Sequence, residues 1–336
     1  MNRTAFLMRG IILLSAALLA LYGCAPQAAP TPISLQSVAL TLQWFPQTQF
    51  AGYYVALDKG WYAEEGIDLT IRSGGPDVSP VNAVRSGSSQ FDTSLLADII
   101  VANEKDNDLL SIAQIQQTNG LLLIAKKESG ITKPEDFKGK RVGVWLGNWE
   151  AQFDALVAKE NINTDDFMLV SQGFSMDAFL RGDLDVASAM IYNEYYAVLE
   201  SGLTPDDLNV IRYEDYGLDF PGDALFTSAE FAKTNADLCA RMTRATLRGW
   251  RYAVENQEEA VNITLKYDAT KMQTYQHQRT MMSEIAKLTQ NNLYPIGYTD
   301  RNRILRVITE LNANGIIKTL PNPDDIYTNT FWEAAQ

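Results

Sequence analysis

Histidine and cysteine are almost missing from this 336-residue chain, which has one histidine, His277, and two cysteines, Cys24 and Cys239. The lone histidine lies in the polar segment "KMQTYQHQRTMMSE", a predicted helix away from the predicted strand ends, and assembles no Ser-His-Asp set. Two cysteines and one histidine also fall short of a zinc cluster. The chain therefore reads as no enzyme, with no cofactor and no metal expected. A glycine-rich phosphate loop is missing, since Gly74-Gly75-Pro76 is a turn signal. Basic residues are outnumbered, 28 Lys and Arg against 41 Asp and Glu, for a formal net charge of -13. That excess argues against a nucleic-acid partner and against a basic surface drawn to anionic lipid. No fixed-period repeat and no low-complexity core stand out.

What is present begins with a separate N-terminal unit. Arg3 and Arg9 precede an apolar run from Ile11 to Tyr22 that is too short to span a bilayer. Leu21-Tyr22-Gly23-Cys24 then resembles a bacterial lipobox, which implies lipidation of Cys24, membrane attachment and an extracytoplasmic location. An ordinary secretory signal with a chance cysteine is the plainer alternative. Residues 1–23 are read as the signal peptide and 24–36, rich in Pro, Ala and Gln, as a tether. Cys239, left alone, forms no intrachain disulfide and is expected to be a buried small hydrophobe.

The body alternates strand and helix patterns. "VALTLQWF" reads as a strand, and "QFAGYYVALDKG" has helical spacing that ends at Gly60. The alternation continues to about residue 126 and predicts a parallel sheet with crossover helices. A second α/β unit opens at "KPEDFKGKRVGVW", and "ALFTSAEFAKTN" returns to the first pattern before a mostly helical remainder. The expected organisation is lobe I from 37–122 and 218–336, lobe II from 123–217, and a cleft between them. Trp61 and Trp250 are expected in the core.

In open α/β sheets ligands bind beyond the C-terminal ends of strands. Gln43, Trp44, Phe45 and Gln47 follow the first strand, and Ser94 and Asp98 follow "QFDTSLL". Trp145, Asn148, Trp149 and Glu150 follow "RVGVW", with Asn148 a candidate helix cap. Tyr192, Asn193 and Tyr195 follow "DVASAMIY", and Asp223 follows "GLDF". Tyr192 and Tyr195 are three apart on a helix start, so one is expected to face the cleft and one to pack. Glu194 reads as a solvated charge at a helix N-terminus. Aromatics interleaved with amides and carboxylates suit a flat ring that stacks and is read at its edge. A phosphate ligand would want Arg or Lys at helix starts, and these loops have almost none.

"LQWFPQTQFAGYYVALDKGWYAEEGIDLTI", "KPEDFKGKRVGVW" and "GDLDVASAMIYNEYY" resemble the ABC-transporter substrate-binding proteins related to thiamine-pyrimidine precursor binding. The resemblance covers roughly residues 36–330. It implies a type II periplasmic-binding-protein fold, two α/β lobes joined by a two-strand hinge, a monomer, and delivery of ligand to a membrane permease. The hinge is expected near Leu122–Ala125 and Asp215–Phe220. The family's fungal enzymes need a reactive histidine and a cysteine-rich motif, and this chain lacks the cysteine cluster. The family's first-strand aromatic falls on Trp44. Its pyrimidine binders carry a glutamate where this chain has Tyr195, with Glu194 one place earlier. That difference ranks riboflavin first and a formylaminopyrimidine-type thiamine precursor second. The rival of another class is a lipid-anchored enzyme acting on a heteroaromatic substrate.

Overall fold

A computed structural model describes residues 35–336 except Pro76, Asn148 and Asn291. The expected signal peptide, Cys24, most of the tether and Asn148 lie outside the described residues.

Strand β1 (Gln36–Thr41) leads through a single 3-10 turn, Thr48–Phe50, into α1 (Ala51–Asp58). Gly60 takes the left-handed conformation, φ 73°, that closes this helix and lets α2 (Trp61–Glu64) start at once. Then come β2 (Ile67–Arg72), α3 (Pro80–Arg85), β3 (Phe91–Leu95), α4 (Leu96–Asp106) and β4 (Leu109–Gln114). Ser79 accepts from Asn82 N, and Pro80 fills the first turn of α3, where an N–H would have no partner. β1 pairs in parallel with β2 and β3.

The second lobe holds β5 (Leu121–Lys126), β6 (Arg141–Val144), α5 (Ala151–Lys159), β7 (Met168–Ser171), α6 (Asp177–Arg181), β8 (Val186–Met190), α7 (Glu194–Glu200) and β9 (Leu208–Arg212). Its strand order is β7-β6-β8-β5-β9. The chain then returns with β10 (Asp223–Ser228), α8 (Ala229–Thr234), α9 (Ala236–Glu255), α10 (Gln257–Tyr267), α11 (Tyr275–Thr289), α12 (Arg301–Ala313) and α13 (Thr330–Glu333).

Two expectations are corrected. The first sheet is mixed, in the order β2-β1-β3-β10-β4, because β10 inserts antiparallel to both β3 and β4. Leu122–Ala125 is no hinge but the centre of β5, paired with β8 on one side and β9 on the other. Its apolar residues are buried, as a central strand requires. The lobe crossings are residues 115–120 and 213–222, and Asp215–Phe220 lies within the second.

Arg303 of α12 reaches both crossings. Its guanidinium donates to the carbonyls of Gln117 and, at 3.2 Å, Asp219. The side chain of Gln152 in lobe II adds a bond to Leu218 O at 2.6 Å and accepts from Asn119 at 2.7 Å.

In lobe I the long helix α9 buries Leu238, Met242, Ala245, Gly249 and Ala253 at helical spacing. The helix crosses α1 closely, since a Cβ on Gly249 would sit 2.1 Å from Gly52 O. Trp250 and Cys239 are buried on this face, and Trp61 is buried beside it, as expected.

Candidate ligand-binding site

Gln43 and Trp44 leave the end of β1 under tight backbone control. Gln43 N donates to Thr93 Oγ1 at 2.9 Å, and Gly74 N donates to Trp44 O at 3.0 Å. A Cβ on Gly74 would lie 1.9 Å from Leu42 O, so only glycine allows this approach. Trp44 is thereby presented at the sheet end, facing the other lobe. There β6 is followed by Trp145, whose indole donates to Gly173 O at 3.1 Å. Trp149, just ahead of α5, donates across the cleft to Gln43 Oε1 at 3.3 Å.

The three indoles form one cluster. Trp44 stands 5.0 Å from Trp149 and 6.3 Å from Trp145, centroid to centroid, and Trp145 is 6.4 Å from Trp149. They meet edge-on or tilted, the geometry that their quadrupoles favour. Gln47, Gln49, Met190, Tyr192, Asn193 and Glu194 complete the walls with Gln43. The space between them is a small cavity that opens to solvent.

The glutamines form an ordered chain rather than a loose polar rim. Gln47 Nε2 donates to Gln49 Oε1 at 2.7 Å, and Gln49 Nε2 donates to Asp223 Oδ2 at 2.8 Å. Burial pushes the Asp223 carboxyl up to about 6, against the lowering effect of the Gln49 and Gln43 amides.

Glu194 is the only carboxyl among the residues lining the small cavity. It is 3% exposed, and burial pushes it up to about 7. It accepts from Met190 N at 3.0 Å and from Asn193 Nδ2 at 2.6 Å. The expectation of a solvated charge is therefore corrected: the helix start places Glu194 inward. His277 is corrected as well, being no remote residue. Its Nε2 lies 2.9 Å from Asn193 Oδ1 and its Nδ1 3.0 Å from Glu200 Oε2.

The other expected residues divide. Gln43, Trp44, Gln47, Trp145, Trp149, Tyr192 and Asn193 meet at the small cavity. Phe45 stands outside it, edge-on to Phe174 of lobe II at 5.8 Å. Ser94, Asp98 and Glu150 line a second, open cavity of about 810 Å³, which shares Trp149 with the first. Asp98 is pushed well above the usual carboxylate range by burial and then by Glu150 and Asp154 across the cleft. Tyr195 packs against the lobe II core and Tyr196, while Tyr192 of the same pair faces the cavity. Asp223 stands behind Gln49, and it opens β10 instead of following a strand. Because β10 runs antiparallel, its start meets the cleft where parallel strands end. Sequence reasoning missed Gln49, Met190 and Glu194 as lining residues. Glutamines at 43, 47 and 49 around Trp44 were the available signal for the first. Among the described residues, no group of three or more His, Cys, Asp or Glu side chains is arranged to hold a metal ion.

The architecture is the type II periplasmic-binding-protein fold, as in a protein from Bordetella bronchiseptica RB50, which superposes with a TM-score of 0.71 at 18% identity over 89% of this chain and 96% of that one. Residues 47–260 match the family model described as "NMT1/THI5 like", and the chain belongs to that family. A formylaminopyrimidine-binding protein of Halalkalibacterium halodurans is 25% identical over 95% of this chain and 98% of its own. The riboflavin-binding protein RibY of Chloroflexus aurantiacus is 26% identical over 91% of this chain and 90% of its own. A 4-amino-5-hydroxymethyl-2-methylpyrimidine phosphate synthase of Legionella pneumophila is 27% identical over 68% of this chain and 73% of its own. This last relative overturns the expectation that the chain stands apart from enzymes, because proteins named as synthases share its ancestry. The exclusion had rested on a missing cysteine cluster and a remote histidine, and His277 is within one side chain of the cavity wall.

Proposed function

We propose that this chain is the solute-binding component of an ABC importer, working on the extracytoplasmic face as a monomer tethered through lipidated Cys24. Its ligand is a small pyrimidine-type vitamin precursor held between the lobes. The observation that carries the ligand choice is the inward Glu194 at a small aromatic cavity. An aminopyrimidine presents a ring nitrogen beside an exocyclic amine, and one carboxyl group pairs with both. The Tyr195 argument for riboflavin loses its basis, since Glu194 and not Tyr195 faces the cavity. The full-length match to a formylaminopyrimidine-binding protein supports the same reading.

In the working cycle Trp44 and the glutamines of lobe I receive the ring. Lobe II then rotates about residues 115–120 and 213–222, bringing Trp145, Trp149 and Glu194 over it. Closure reports occupancy to the permease through shape. Calorimetric titration with 4-amino-5-hydroxymethyl-2-methylpyrimidine and with riboflavin tests the ligand. Tight pyrimidine binding with weak riboflavin binding is expected, and the opposite order sinks the choice.

A second reading, catalysis on the same ring, is favoured by one observation. Glu194 is held at about 7, where a carboxyl can both give and take a proton at neutral pH. Chromatography of the pyrimidine after incubation with the protein decides it: a new product supports turnover, and quantitative recovery opposes it.

A further inference from the structure

We propose that His277 is a positioning residue that latches the closed lobes and orients the Asn193–Glu194 pair toward the ligand. The inference rests on the clamshell binding reading above. His277 belongs to α11 of lobe I, whereas Asn193, Glu194 and Glu200 all belong to lobe II. The ring is thus a direct tie between lobes, and its side chain is only 12% exposed.

The hydrogen-bond directions are fixed from the cavity outward. Met190 N and Asn193 Nδ2 both donate to the Glu194 carboxyl. With its NH2 spent on Glu194, the Asn193 amide turns its oxygen to His277 Nε2. Nδ1 faces the Glu200 carboxylate. Both ring nitrogens meet acceptors, so the ring satisfies both only when each nitrogen carries a proton. Opening the lobes breaks both contacts and frees the Asn193 amide to rotate away from Glu194.

The helix that carries the latch is itself anchored. Thr274 caps α11 by accepting from His277 N, and Gln278 receives Thr48 N at 2.6 Å. A second tie, Tyr196 to Glu284 at 3.0 Å, runs between the same two helices. The titratable groups of α7 are Glu194, Tyr195, Tyr196 and Glu200, and those of α11 besides His277 are Tyr275, Arg279, Glu284 and Lys287. On α10, which packs against α11, they are Glu258, Glu259, Lys266 and Tyr267, and the Thr48–Phe50 turn has none.

Because His277 is the only histidine in the chain, imidazole 15N labelling yields a single pair of side-chain signals. In the full-length protein, Glu200→Gln is expected to shift the Nδ1 signal and Asn193→Ala the Nε2 signal. His277→Ala is expected to weaken binding of 4-amino-5-hydroxymethyl-2-methylpyrimidine about tenfold, the range of a single coupling between sites. His277→Gln, which keeps one polar contact, is expected to restore part of that loss. Imidazole signals that stay fixed in both lobe II variants overturn the latch, as does a His277→Ala protein with wild-type affinity. If the pyrimidine does not bind, the ligand choice fails, but the two signal shifts still decide the latch.

Discussion

Trp44 of lobe I and Trp149 of lobe II stand 5.0 Å apart, edge to face at 73°. The two lobes therefore meet through indoles just beyond the ends of β1 and β6. Trp44→Ala removes this wall and the stacking face, and the affinity for 4-amino-5-hydroxymethyl-2-methylpyrimidine is expected to drop by roughly 1–3 kcal/mol. Isothermal titration reads it directly, and an unchanged affinity would remove Trp44 from the site.

Glu194 gives the fold a pH dependence with a definite sign. Burial raises its carboxyl from 4.5 to about 7. The folded protein holds this proton more tightly than the unfolded chain, so the stability it contributes is complete below about 4.5 and is lost as pH rises through about 7. Asp223, raised to about 6, and Asp92, raised to about 8, act in the same direction. Glu194→Gln should flatten the fall of Tm between about pH 5 and 8, by on the order of 2–3 kcal/mol of stability. Parallel Tm profiles of the variant and the wild type would show that Glu194 is not the buried acid described.

Arg303 joins the two crossings by donating to Gln117 O and Asp219 O, and it is buried. Arg303→Ala leaves the buried Gln117 carbonyl without its partner, at a cost of about 1–3 kcal/mol, while the Asp219 carbonyl can turn to water. Thermal denaturation is expected to show a clearly lower Tm. A Tm within error of wild type would mean that the crossings hold without it.

Gly249 sets the approach of α9 to α1, where an added Cβ would fall 2.1 Å from Gly52 O. Gly249→Ala forces the helices apart and should destabilise by about 1–3 kcal/mol, the usual cost of overpacking. Neither glycine lines the cavity, so the folded variant should keep its ligand affinity. A stability loss together with a lost affinity would tie α9 to the site.

Much of this was legible in the residues, and the gaps have physical causes. The apolar spacing of α9 and the left-handed Gly60 were readable because both are local. Gln43, Trp44 and Trp149 were readable because a strand end in an α/β sheet points to a cleft. Glu194 and Tyr195 were interchanged in role because neighbours on a helix point about 100° apart, and the helix phase was open. The inward turn is set by Met190 N and Asn193 holding the Glu194 carboxyl. His277 was misjudged for another reason: its partner Asn193 is 84 residues away and on the other lobe. Asp223 was placed after a strand because nothing local reveals that β10 runs against its neighbours.

Titration of the wild-type protein and Glu194→Ala with 4-amino-5-hydroxymethyl-2-methylpyrimidine, with riboflavin alongside, reaches the central claim most directly. The wild type is expected to bind the pyrimidine at least about tenfold more tightly than riboflavin, and Glu194→Ala to lose about 2–3 kcal/mol of that affinity through a lost charge-assisted pair. Riboflavin bound more tightly than the pyrimidine, or a Glu194→Ala protein that binds the pyrimidine as well as wild type, would contradict it.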